Sequence, residues 1–407
     1  MDKFFEAETV KCPYPFYANL RAEDPVHNLE GEDVYLVTRH EDCLDVLSKP
    51  EVFSSKAGPG LRQKELMTAP RSVENGGHRI VRTLLTNDPP SHTRYRGLVA
   101  KAFAPRRLKA LEPQIHELVD SLIDSFAATG HIDFVRDLAR PLPLTVIADF
   151  LGVPREDLDS FRRWSDDAAE VLGGQLSPER SIECQESLNE LLDYLAVKVE
   201  ARRNQPADDF LTVLVETEVD GDRPLTTEEI LAISYVTLVA GNETTVNLLS
   251  SMMLLLVKHP DQLDRLRNDR SLISSAVEEA LRMEAPVQGS VRLALEDTAV
   301  GGCPVPQGSR LLVLAGAANR DEDVFEQSET FDVGRKDSKD HLTFGKGIHF
   351  CLGATLSRVE ARIALEHLLD RIDSIELSPD FSPEYANNAV LRALISLPLN
   401  ISRPTPR

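Results

Sequence analysis

The sequence predicts a mainly α-helical protein with a minor β portion, an α+β fold. Three observations carry that reading. Helical periodicity dominates residues 91–203, no proline interrupts the chain between Thr226 and Pro260, and the β-like pieces are short. With no internal repeat, low-complexity tract or long Gly/Ser linker in 407 residues, one continuous domain over 1–407 is expected.

Taken in order, residues 33–38 (DVYLVT) read as a strand and 42–47 as a helix. Residues 58–87 dissolve into Gly, Pro and polar residues, loosest at Asn75-Gly76-Gly77. A loop of that length inside a domain marks a lid or a binding loop. The clearest helix is expected over 227–258, because Thr226-x-x-Glu229 has the capping-box pattern. About 30 residues at ~1.5 Å each make a rod of roughly 45 Å, enough to cross a whole domain. A second helix is expected over 272–283. Strands such as 310–314 follow, punctuated by Gly301-Gly302, Pro304, Pro306 and Gly308. A last helix begins after Cys351, with Leu352, Leu356, Val359 and Ile363 spaced to share a face.

Composition narrows the function classes. With 42% hydrophobic and 27% charged residues, the chain can bury a substantial core and a cofactor within it. A net charge of -21 argues against nucleic acid or an anionic membrane as partner. The cysteines (Cys12, Cys43, Cys184, Cys303 and Cys351) are odd in number and form no C-x-x-C pair, so neither a disulfide framework nor a zinc knuckle is suggested. The N-terminus is charged where a signal peptide needs its apolar core, and no apolar run approaches the roughly 18–20 residues that span a bilayer. A soluble, cytoplasmic monomer is expected.

The stretch richest in chemistry is Phe344-Gly345-Lys346-Gly347-Ile348-His349-Phe350-Cys351-Leu352-Gly353. Gly345 and Gly347 permit positive φ and let backbone lie against a flat cofactor, and Gly353 clears the flank of the cysteine. A helix start after Cys351 offers free N–H groups and a positive dipole end, both of which favour a thiolate. In the long helix, Ala240-Gly241-Asn242-Glu243-Thr244 places a glycine mid-element, at a cost of about 1 kcal/mol relative to alanine. That marks either a functional site or a close helix crossing.

The ten-residue cysteine pattern resembles the F-G-x-G-x-H-x-C-x-G heme-binding signature of the cytochrome P450 family, and the resemblance runs over nearly the whole chain. It implies a cytochrome P450 fold with heme b (iron protoporphyrin IX), Cys351 as the axial iron ligand, and the loop 344–353 against the heme. Glu279-x-x-Arg282, followed by Asn319-Arg320-Asp321 and Phe331-Asp332-x-x-Arg335, resembles the family's buried Glu-Arg-Arg core. Ser328 stands where the family often has proline. By the same resemblance His92, Arg96, Arg292 and His349 bind the heme propionates. Ala240 and Gly241 belong to the oxygen-binding groove, with Thr244 the alcohol near dioxygen and Glu243 the acid that feeds it protons.

The implied activity is monooxygenation of a hydrophobic small molecule by O2. No nucleotide-binding motif follows the heme region, so electrons are expected from a ferredoxin and its NAD(P)H-dependent ferredoxin reductase. Lys101, Arg106, Arg107, Lys346, Arg358 and Arg362 are candidates for the docking face. Leu84 of the access loop, Val236, Val287, Gln288, Ser290, Val291, Asn388 and Val390 are expected to line the substrate pocket. Two other readings stay open: a hydrogen-peroxide-driven peroxygenase, and a non-catalytic heme-binding sensor or recruitment protein.

Overall fold

The computed structural model describes residues 3–29, 33–57, 78, 81–173, 176–217, 223–379 and 381–403. Most of the expected access loop, 58–77 with 79 and 80, therefore lies outside the described residues.

The chain opens with α1 (Ala7–Lys11), α2 (Tyr14–Glu23), β1 (Val26–Asn28), β2 (Val34–Val37), α3 (His40–Ser48) and β3 (Phe53–Ser54). A helical block follows: α4 (Ser91–Ala100), α5 (Pro105–Phe126), the short β4 (His131–Asp133), α6 (Pro141–Leu151), α7 (Leu158–Gly173), α8 (Pro178–Asn204) and α9 (Phe210–Glu216). Then come α10 (Thr227–Lys258), α11 (Pro260–Asn268) and α12 (Ile273–Met283), strands β5 (Ser290–Ala294), β6 (Thr298–Val300), β7 (Cys303–Val305) and β8 (Arg310–Val313), and α13 (Ala315–Ala318). The chain closes with α14 (Ala354–Arg371), β9 (Ser374–Leu377) and β10 (Pro398–Ser402). The main sheet runs β1-β2-β8-β5-β3, and within it β2 and β8 are parallel, from Val34↔Arg310 to Val37↔Val313. A three-stranded sheet, β4-β10-β9, and the β6-β7 hairpin complete the β portion.

The expected cap of α10 is present in full. Thr226 Oγ1 accepts from the Glu229 amide at 3.3 Å, and Glu229 Oε2 accepts from the Thr226 amide at 2.8 Å. At the other end His259 precedes Pro260, which cannot continue the hydrogen-bond ladder. A helix that is apolar on nearly all sides must be buried, and α10 belongs to two cores. Val246 to Leu256 pack with α5, α12 and α14, whereas Ile230 to Leu238 pack with α4, α6, α8 and α9. Between those cores its surface opens. Ala240 is exposed, and Val236, Gly241 and Thr244 are half-buried. The i, i+4 spacing of 236, 240 and 244 puts these three on one face.

Candidate active site

Cys351 lies at the mouth of α14. Gly345 (φ +69°) and Gly347 (φ +68°) take left-handed backbone, and a β-carbon on Gly347 would meet the Leu47 carbonyl oxygen at 2.8 Å. The Cys351 amide donates to the Phe344 carbonyl at 2.9 Å and closes the loop. The cysteine is exposed although deep in the molecule, because it lines an opening instead of packing into a core. Burial pushes its thiol up; the Gly353 and Ala354 amides and the charges of Arg96 and Arg358 work in the opposite direction. A bound metal cation would complete the shift to thiolate.

Beneath the loop sits a buried ionic core. Arg282 is bidentate to Glu279 (2.8 and 2.9 Å), and both side chains have no exposed surface. Arg335 joins Glu279 at 3.1 Å. Arg282 also donates to the carbonyls of Asn319 (2.9 Å) and Ser328 (2.7 Å). Ser328 therefore serves through its backbone oxygen, which proline would also supply.

Around Cys351 is a set of buried donors whose acidic neighbour is Asp88. Among the described residues, both ring nitrogens of His92 and Nε2 of His349 are buried without a hydrogen-bond partner, and the two rings lie 4.3 Å apart. Burial, then Arg292 and His92, pushes His349 down to about 3, and burial followed by Arg96 lowers His92. Arg292 is brought down to about 10 by burial and is opposed only by Asp88. Asp88 is itself held by Ser54 Oγ at 2.5 Å and by the Ser55 amide at 2.9 Å. Arg96 is also lowered by burial. Buried positive charge is costly unless it is matched; Asp88 is one acid beside four basic side chains, and two further carboxylates placed here would satisfy them with strong charge-assisted bonds. The donor set and the cysteine therefore fit an iron porphyrin with two propionates.

On α10, Thr244 Oγ1 donates to the Ala240 carbonyl at 2.6 Å and stays open to solvent. Glu243, about 100° round the helix, is buried and makes no hydrogen bond among the described residues. Burial raises its pKa, Arg140 lowers it and Asp166 raises it further. The sequence reading missed that pair, since Arg140 and Asp166 carry no motif. Gly241 faces α6, where a β-carbon would meet Ile147 Cδ1 at 2.9 Å, so the glycine marks a close crossing.

The expected substrate residues divide. Val236, Val287, Ser290 and Leu84 are half-buried, and Leu84 packs near the N-terminal half of α10. Four others do not join them. Val291 points into the core formed by Phe4, Tyr14 and Tyr17, because strand alternation sends it opposite to Ser290 and Arg292. Gln288 donates to the Ala285 carbonyl at 2.7 Å and, with Asn388, lines a cleft against Phe4 and Tyr17. Asn388 Oδ1 accepts the amides of Val390 and Leu391 at 2.9 and 2.8 Å. Val390 is buried and holds the Gln288 amide through its carbonyl at 2.7 Å.

The expected docking cations also divide. Lys101, Arg106, Arg107 and Lys346 are exposed. Arg358 is instead bidentate to Glu278 (2.6 and 2.8 Å), and Arg362 pairs with Glu112 and Glu366.

Known proteins resemble this chain in sequence and in fold. A family model described as Cytochrome P450 matches residues 177–393. The chain is 39% identical over 400 residues to the cytochrome P450 monooxygenase PikC of Streptomyces venezuelae, covering 96% of this chain and 91% of that one. It is 36% identical to the 6-deoxyerythronolide B hydroxylase of Saccharopolyspora erythraea, covering 95% and 96%. The solved structure of cytochrome P450 CREJ in complex with (4-ethylphenyl) dihydrogen phosphate matches with a TM-score of 0.90 at 34% identity, over 96% and 97% of the two chains. Relatedness at this level over the full fold, joined to a cysteine loop and buried donors suited to heme, makes the chain a member of the cytochrome P450 family, the heme-thiolate monooxygenases.

Proposed function

We propose that this protein hydroxylates or epoxidises a hydrophobic small molecule, with O2 as oxygen source and electrons from a ferredoxin reduced by an NAD(P)H-dependent reductase. The observation that carries this is the open face of α10 at Ala240 and Thr244, in a molecule that also presents Cys351 and, among the described residues, the unpaired ring nitrogens of His92 and His349. Heme b held by a thiolate supplies activation of O2 and cleavage of its O–O bond.

The residues of the chain do the rest. Cys351 would hold the heme iron through its sulfur, steadied by the amides at the start of α14. His92, Arg96, Arg292 and His349 hold the propionates. Thr244 offers hydroxyl lone pairs as acceptors at the reaction face. Glu243, whose burial favours the protonated form, stores a proton beside Arg140 and Asp166, both partly exposed and so in touch with solvent. Leu84, Val236, Ala240 and Val287 provide an apolar lining, and Ser290 a polar group that orients the substrate.

In the test, purified holoprotein receives ferredoxin, reductase and NAD(P)H with a compound that shifts the ferric Soret band. Wild type should convert NAD(P)H to hydroxylated product. Thr244→Ala should bind the compound equally well but divert electrons into hydrogen peroxide. Undiminished product per NAD(P)H in that variant contradicts the assignment of Thr244, and equally fast turnover on hydrogen peroxide alone contradicts the need for a redox chain.

A further inference from the structure

Seven residues past Cys351, Arg358 has the position and charge of a surface docking residue, yet its surroundings are those of a clamp. Its guanidinium forms a two-pronged pair with Glu278 of α12, Nε to Oε1 at 2.6 Å and Nη2 to Oε2 at 2.8 Å. Glu278 is mostly buried, and His341 Nε2 lies 3.3 Å from Oε2, the oxygen that Nη2 also engages. Burial alone would raise this carboxyl, but Arg358 and His341 outweigh it and hold it at about 2. Glu278 is thus a fixed anion at working pH.

The same guanidinium lies 4.3 Å from the ring centre of Phe344. That ring is flanked by His341 at 5.6 Å and Phe350 at 6.3 Å. Phe344 is the residue whose carbonyl receives the Cys351 amide at 2.9 Å. A continuous path therefore runs from α12 through Glu278, Arg358 and the Phe344 ring to the backbone of the cysteine. A cation over an aromatic face is attracted to it, and arginine can stack there while its fork engages a carboxylate; lysine cannot do both.

We propose that Arg358, clamped by Glu278, is a positioning residue for the cysteine loop, and that this pair sets the reduction potential of the bound iron. The proposal rests on Cys351 being the axial ligand. Two effects act together. The stack on Phe344 holds the loop that carries the thiolate, and the guanidinium charge stabilises the more electron-rich ferrous state. Glu278 orients the arginine and offsets part of that charge. Removing one partner at a time should therefore shift the potential in opposite directions, an outcome that simple loosening of the loop cannot produce.

The experiment is a spectroelectrochemical titration of substrate-free holoprotein, with the ferrous–carbonyl spectrum recorded on the same samples. Arg358→Met keeps the packing length and removes the charge, so the potential should fall. Glu278→Gln leaves an unbalanced guanidinium, and the potential should rise. Each shift should change the ferric-to-ferrous ratio at a fixed poise about threefold to tenfold, tenfold being about 59 mV for one electron. The double variant should return toward wild type. Should Arg358→Met fail to retain heme, Glu278→Gln alone decides, because its potential must rise. Unchanged potentials with slower reduction by ferredoxin would make Arg358 a docking residue and overturn the proposal, as would shifts of one sign in both variants. A wild type lacking the thiolate-type carbonyl band would overturn the ligand assignment as well, so the two failures are distinguishable.

Discussion

Gly241 of α10 and Ile147 of α6 lie so close that a β-carbon on the glycine would stand 2.9 Å from Ile147 Cδ1 and 3.2 Å from Cγ1. The glycine in mid-helix thus answers to a neighbouring helix, and its flanking residues Ala240 and Thr244 face the opening. Gly241→Val should destabilise the protein by about 1–3 kcal/mol through overpacking. Adding Ile147→Ala should recover part of that loss, since the cavity receives the new methyls. Denaturant unfolding of both single variants and the double measures the coupling, and purely additive losses would contradict the contact.

The Glu279–Arg282–Arg335 core makes a sharper demand. Arg282→Ala strands a fully buried carboxylate whose remaining cation is Arg335, and it frees the carbonyls of Asn319 and Ser328. Breaking a buried pair in this way costs about 3–5 kcal/mol. The variant should lose heme or fail to accumulate folded. A stability within about 1 kcal/mol of wild type by chemical denaturation would show the pair to be dispensable.

Glu360 on α14 is buried, its Oε2 has no hydrogen-bond partner among the described residues, and burial pushes its pKa up to about 8. The folded protein then keeps a proton that the unfolded chain releases above about pH 4.3. The stability contributed by this proton is full below that pH and is lost as pH rises through about 8. Glu360→Gln should match wild type near pH 4 and exceed it at pH 9 by as much as about 5 kcal/mol, at roughly 1.4 kcal/mol per pKa unit. Thermal unfolding across that range reads the difference, and a constant gap between the two proteins would refute a titrating Glu360.

What was legible in the sequence was local. The cap at Thr226, the stop at Pro260, the glycine-flanked Cys351 and the Glu279–Arg282 spacing each depend on residues a few positions apart. What escaped depends on partners far along the chain. Arg358 meets Glu278 across 80 residues and Arg362 meets Glu112 across 250, so charges that looked available for docking are already engaged. Val291 was misplaced for a different reason: it follows Ser290 directly, and strand alternation sends neighbours to opposite faces. Asp88 stands four residues before His92, but its electrostatic hold on Arg292 emerges only from the fold.

The buried donors around the cysteine loop predict how heme is retained. Arg292→Ala should speed transfer of heme to an apo-globin acceptor, and removing His92 as well should speed it further, since each leaves a propionate one donor short. Equal transfer rates in wild type and variants would place the propionates elsewhere.

The most direct measurement is the ferrous–carbonyl spectrum of the reconstituted protein beside that of Cys351→His. Wild type should give the red-shifted Soret band of a thiolate-ligated iron, and the histidine variant the shorter-wavelength band of imidazole ligation with heme still bound. The same red-shifted band in both proteins would show that the iron ligand is not Cys351.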